Sequence, residues 1–155
     1  MATKPIPEGY ALIPYLVLDD AAEAIEFYKR AFGATERMRM EAPGGKIGHA
    51  ELEIGDSIVM LSDAFPQSST RPPRELGATS AGIFMYAEDV DAVVRRAVEN
   101  GATVTMDVAD QFWGDRFGSI TDPFGHSWSI ATHVEDVPPE EMEERAKAAM
   151  AGMSD

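Results

Sequence analysis

His49, Glu51 and Glu53 alternate with Ala50, Leu52 and Ile54 along one short run. Alternation puts the three ionisable side chains on one face of a strand, with positions two apart separated by about 6.5 Å. At that spacing an imidazole and a carboxylate can share a substrate or a water as acid and base. They can equally supply two ligands to an unconventional metal site whose third ligand comes from elsewhere, or form a solvated strand face. Arg116 carries a planar fork of N–H donors able to grip a carboxylate or phosphonate, unless it pairs with Asp115 or Asp110 on the surface. In Gln111-Phe112-Trp113-Gly114 a bulky aromatic beside a glycine can wall a mostly apolar pocket, although Trp113 serves equally as core or dimer packing. His126 follows a turn and His133 ends a strand, which gives both structural or exposed roles.

The elements that must position these groups follow from periodicity. Ala11 to Leu18 is apolar and stops at Asp19-Asp20, after which Ala21, Ala24, Ile25, Tyr28 and Phe32 recur at helical spacing up to Gly33. Strands are predicted at Thr35 to Glu41, Ile47 to Ile54 and Ser57 to Ser62, divided by the turns Pro43-Gly44-Gly45 and Gly55-Asp56. Ala64 to Thr79 is rich in proline and serine and reads as a linker. The pattern then restarts: a strand at Ala81 to Ala87, a helix with Val90, Val93, Val94, Ala97 and Val98 on one face, and strands at Thr103 to Val108, Arg116 to Thr121 and His126 to Thr132. The chain is thus an internal duplication: a first βαβββ module over 1–63, a linker over 64–79, a second module over 80–133 and an acidic helical tail over 134–155, all in one structural domain. A ferredoxin-like βαββαβ order would need its second helix after two strands, and here three come first. Counting back from the two hairpins superposes His49 on Arg116. The tail reads as a solvated helical appendage, or else Met142, Ala146 and Met150 form a narrow stripe that docks on the body or a partner.

Composition sets the outer limits. The 155 residues include 13 basic and 27 acidic side chains, a formal charge of -14 that repels a phosphate backbone and argues against nucleic acid as a partner. No cysteine occurs, which excludes disulfides, thiolate ligands and a cysteine nucleophile and suits a reducing cytoplasm. No apolar run is long enough to span a bilayer and the amino terminus lacks a signal-peptide core, so a cytoplasmic protein without a membrane partner is expected.

Three segments carry a family resemblance: Ala24-Ile25-Glu26-Phe27-Tyr28 with Phe32-Gly33-Ala34, His49-Ala50-Glu51-Leu52 with Gly55-Asp56, and above all DQFWGDRFGSITDPFGHSWSIATH from Asp110 to His133. From Ala11 to about His133 the chain resembles the vicinal-oxygen-chelate superfamily of glyoxalase I, bleomycin-resistance proteins, fosfomycin-resistance enzymes and extradiol dioxygenases, and within it the PhnB-like branch. The resemblance implies an α+β fold in which two βαβββ modules curve a mixed sheet into a cup, commonly completed by dimerisation, with a small-molecule site inside. Metal-dependent members hold a divalent cation at four positions, which fall here on Ile13, Met60, Gly82 and Ser129. None of these is a usual ligand, so no cofactor is expected. On the same alignment Tyr15, Phe84 and Tyr86 line the cup, although a closed core would need the same residues.

Two functions follow as expectations. The first is a homodimeric binding module that holds a small, partly hydrophobic molecule without a metal, using Tyr15, Phe84, Tyr86, Gln111 and Trp113. The alternative is a lyase, isomerase or dioxygenase-type enzyme that uses His49, Glu51 and Arg116, with a nonstandard divalent metal as an option.

Overall fold

Each half of the molecule starts with a carboxylate that stops a strand and caps a helix. The computed structural model describes residues 1–153. Strand β1 (Tyr15–Leu18) leads into helix α1 (Ala21–Phe32), where Asp20 accepts the Glu23 N–H at 3.1 Å. Strands β2 (Thr35–Ala42), β3 (Lys46–Ile54) and β4 (Ser57–Asp63) complete the unit. After a one-turn helix α2 (Pro73–Leu76), β5 (Gly82–Tyr86) leads into α3 (Val90–Glu99), where Asp89 accepts the Ala92 N–H at 3.0 Å. Strands β6 (Thr103–Asp110), β7 (Asp115–Thr121) and β8 (Ser127–His133) follow, then helix α4 (Pro139–Ala151). Side-chain oxygens at these N-caps satisfy N–H groups that the helix itself leaves unpaired.

The strands form two four-stranded mixed sheets, β1-β4-β3-β2 and β5-β8-β7-β6. Both are open, with β1 and β5 each on an edge. A second cap repeats as well: at the end of each sheet's second strand, Asp63 accepts the Ala21 N–H at 2.9 Å and Thr132 accepts the Val90 N–H at 2.8 Å. One apolar core unites the sheet faces that carry the helices, including Leu18, Ile25, Leu52, Leu61, Ile120, Trp128 and Ile130. Asp122 ties the halves together, since its buried carboxylate accepts from Tyr28 Oη of α1 at 2.6 Å and from Trp128 Nε1 at 2.9 Å. Burial and the Asp122 charge raise the Tyr28 phenol well above its ordinary value, so it stays a donor.

The boundaries differ from the sequence reading in small ways with physical causes. Strand β1 begins at Tyr15 rather than Ala11, because Pro14 has no N–H to give a ladder; its carbonyl accepts from Met60 N at 2.9 Å. The linker holds the turn of helix α2. The tail helix begins at Pro139, with Met142 and Ala146 half-buried and Met150 exposed. The tail's last two residues, Ser154 and Asp155, lie outside the described residues.

Candidate functional site

Opposite its helix, each sheet presents a front face, and the two fronts differ. On the first, Glu51 pairs with Met60 across β3 and β4, and Met60 pairs with Tyr15 of β1. Glu51 is 8% exposed; its Oε2 accepts Tyr10 Oη at 2.7 Å, and its Oε1 lies 3.4 Å from His49 Nε2. His49 Nδ1 in turn lies 2.9 Å from Tyr15 Oη. The Tyr10 bond, joined by the His49 contact, holds the Glu51 carboxyl below the usual carboxylate range despite its burial. Tyr10 carries no periodic or motif signal, and only the course of the chain ahead of β1 reveals its part.

The second front is aromatic. Phe84 of β5 stacks on Phe117 of β7 with centroids 5.7 Å apart, Tyr86 lies 5.3 Å from Phe84, and Trp113 meets Phe117 edge-on at 5.6 Å. Behind the tyrosine and tryptophan stands Asp115, 2% exposed, whose Oδ2 accepts Tyr86 Oη at 2.8 Å and Trp113 Nε1 at 2.9 Å. Its Oδ1 meets His133 Nδ1 at 2.9 Å. Burial pushes the Asp115 carboxyl up, but the donors from His133, Tyr86 and Trp113 together outweigh it and hold the group below its ordinary value. His133 also reaches Asp136 through Nε2 at 2.8 Å, and that contact, with Asp115 behind it, raises the imidazole above its ordinary value. Gly114 makes this corner possible: it has a left-handed φ of 99°, and a side chain there would strike the Glu135 carbonyl.

Arg116 stands apart from both groups. Met60 of β4 and Ser129 of β8 occupy matching places, so Glu51 matches Ser119 and His49 matches Phe117, while Arg116 matches Gly48. The superposition of His49 on Arg116 is therefore off by one residue, because the turn between β7 and β8 is longer than the Gly55-Asp56 hairpin. A shift of one residue moves a side chain to the opposite face. Arg116 accordingly lies on the helix side, where Nε and Nη2 donate to Asp91 at 2.7 and 2.9 Å and Nη1 to Asp110 at 3.1 Å. Of the two surface partners expected from the sequence, Asp110 is bonded to Arg116, while Asp115 is buried beneath the front of the sheet.

The structure thus brings His49, Glu51 and Tyr15 together on one front and Phe84, Tyr86 and Trp113 on the other. Gln111 sits in the turn between β6 and β7 and donates from its amide to Ala109 O at 3.3 Å. A cavity of about 1380 Å³ runs between the segment ahead of β1, the β3–β4 hairpin and β5 with the start of α3; its walls include Ile13, Ile58, Phe84, Tyr86 and Arg96. Tyr15, His49, Glu51, Gln111, Trp113 and Arg116 lie outside that wall.

A sequence model of the glyoxalase/bleomycin resistance protein/dioxygenase superfamily matches residues 11–130. The chain belongs to that superfamily. An uncharacterised protein of Mycobacterium tuberculosis is 45% identical over 148 residues, covering 94% of this chain and 85% of that one. The crystal structure of TioX from a Micromonospora species superposes with a TM-score of 0.64 at 28% identity, over 79% of this chain and 98% of the other. A PhnB protein from Bacillus cereus shares the fold, with a TM-score of 0.60 at 17% identity over 79% and 98% of the two chains.

The metal common in the superfamily does not fit the residues here. The expected positions hold a hydrocarbon, a thioether, a glycine and a hydroxyl, in Ile13, Met60, Gly82 and Ser129, and none is a strong donor to a hard cation. The strand pairing sets Met60 between Tyr15 and Glu51 and Ser129 between Phe84 and Ser119; Glu51 is the carboxylate beside Met60, and its oxygens already face Tyr10 and His49. Among the described residues no group of three or more His, Asp or Glu side chains gathers to hold a metal ion. No helix among them is long and apolar enough to cross a membrane.

Proposed function

We propose that this superfamily member binds a small, flat, partly hydrophobic molecule against the front of its second sheet, without a metal at the four usual positions. One observation carries the reading: Phe84, Tyr86, Phe117 and Trp113 form a contiguous aromatic group, of which Phe84 and Tyr86 are 52% and 61% exposed and open into the large cavity. Aromatic rings left half-bare on a rigid sheet offer stacking area at little entropic cost. Asp115 keeps Tyr86 and Trp113 oriented by taking both their polar hydrogens. The protein works as a homodimer in this proposal, since both fronts expose methionines away from the aromatic group, Met40 on the first and Met106 on the second, and among the described residues the outer edges of β1 and β5 pair with no strand. The absence of cysteine supports residence in a reducing cytoplasm.

Thermal unfolding with alizarin as a flat aromatic probe tests the binding proposal, alongside quenching of Trp113 emission. Alizarin is expected to raise the melting temperature of the protein and not of Phe84→Ala. Stabilisation by divalent cations alone would sink the proposal. Light scattering on the eluting protein tests the dimer, with twice the 16.8 kDa chain mass expected.

A further inference from the structure

We infer that Tyr15, His49 and Glu51 form a proton relay that enolises neutral 1,3-dicarbonyl compounds on the front of the first sheet. The relay is independent of the aromatic front and of any ligand bound there. Its order follows from what each group can do. Glu51 is almost buried and ionised, so both carboxylate oxygens accept: Oε2 from Tyr10 Oη at 2.7 Å, Oε1 from His49 Nε2 at 3.4 Å. An acceptor at Nε2 puts the imidazole proton there and leaves a lone pair on Nδ1, which accepts Tyr15 Oη at 2.9 Å. Exposure then rises along the chain of groups, from Glu51 through a half-buried His49 to Tyr15 at 48%. A buried anion that orients a base, which in turn holds an exposed hydroxyl, is an arrangement able to move protons.

In the forward step a C–H bond of the dicarbonyl breaks and its proton goes to Tyr15 Oη while the tyrosine's own proton passes to His49 Nδ1. The electron pair remains on the ligand as an enolate, and the imidazolium formed faces the Glu51 carboxylate. Reversal at the enolate oxygen returns the proton to a different atom of the ligand. The net change is a tautomerisation, balanced in atoms and electrons and requiring no co-reactant. A neutral, weakly acidic substrate fits the surroundings: Glu53 lies exposed on the same face and repels anions, while Met60 and the buried Ile58 are apolar. Tyr15 and His49 are the catalytic residues; Glu51 and Tyr10 position them.

Deuterium uptake by 2,4-pentanedione in D2O, followed by proton NMR, tests the relay on the intact protein. The protein is expected to accelerate exchange over buffer, and Tyr15→Phe and His49→Gln to cut the protein-dependent rate by about tenfold or more, within the usual contribution of acid–base groups. Arg116→Gln, on the other side of the sheet, is expected to leave the rate unchanged. For the positioning role, Glu51→Gln is expected both to slow exchange and to alter the His49 ring-nitrogen shifts, which report where the imidazole proton sits. Exchange no faster than in buffer, or equal rates in Tyr15→Phe and the unmodified protein, would overturn the inference. Because 2,4-pentanedione is not aromatic, alizarin binding can fail while exchange survives, and the reverse.

Discussion

The two sheets have nearly the same back and very different fronts. Behind, each packs a capped helix through matched apolar positions, such as Leu52 in the first and Ile120 in the second, both fully buried. In front, the first sheet offers Tyr10, Tyr15, His49 and Glu51, a set of proton-carrying groups; the second offers Phe84, Tyr86, Phe117 and Trp113 around one buried carboxylate. The backs are held alike by volume and burial, since close-packed cores tolerate little change, whereas the fronts carry side chains of different chemistry on the same frame.

The largest effects are expected at the backs. Leu52→Ala and Ile120→Ala are each expected to cost about 2–5 kcal/mol, the usual penalty of a core truncation; unequal losses in urea unfolding would show that the halves are not energetically alike. Next comes the buried carboxylate. Asp115→Ala leaves the hydrogens of Tyr86 and Trp113 without a partner and is expected to cost about 1–3 kcal/mol, with loss of alizarin binding in the same titration. Phe84→Ala is expected to change stability by no more than about 0.5 kcal/mol while abolishing alizarin binding, which distinguishes a functional front from a structural one.

The smallest effect is a pH dependence confined to the second half. His133 is bonded by Asp115 of β7 and by Asp136 of the segment that leads to α4. Its folded value is raised, so the added stability is fully present below the unfolded imidazole value and is lost as pH rises through the folded one. The His133 ring resonances should therefore titrate above ordinary histidine, and the segment after β8 should exchange its amides faster once that pH is passed. In Asp136→Asn the titration should move down towards the ordinary value.

Where the sequence and the structure part, the cause is three-dimensional. The βαβββ repeat is legible because alternation, helical spacing and the Asp-capped helix starts at Asp20 and Asp89 are local signals. The face shared by His49, Glu51 and Glu53 is legible for the same reason. The superposition of Arg116 on His49 fails because face depends on register, and one additional turn residue between β7 and β8 reverses it, whereas the surface pairing of Arg116 with Asp110 is legible and present. Asp115 adjoins Arg116 in the sequence, yet adjacency in a strand places the two on opposite faces.

The amino-acid order alone determined the elements and their duplication, since both depend on residue type and near-neighbour spacing. Only the folded chain decided which side chains meet: Tyr10 reaching Glu51 across 41 positions and Tyr15 reaching His49 across 34, or Asp115 collecting three donors from separate strands and turns. Such contacts depend on how strands are paired and how the leading segment crosses a sheet, and no local pattern encodes either.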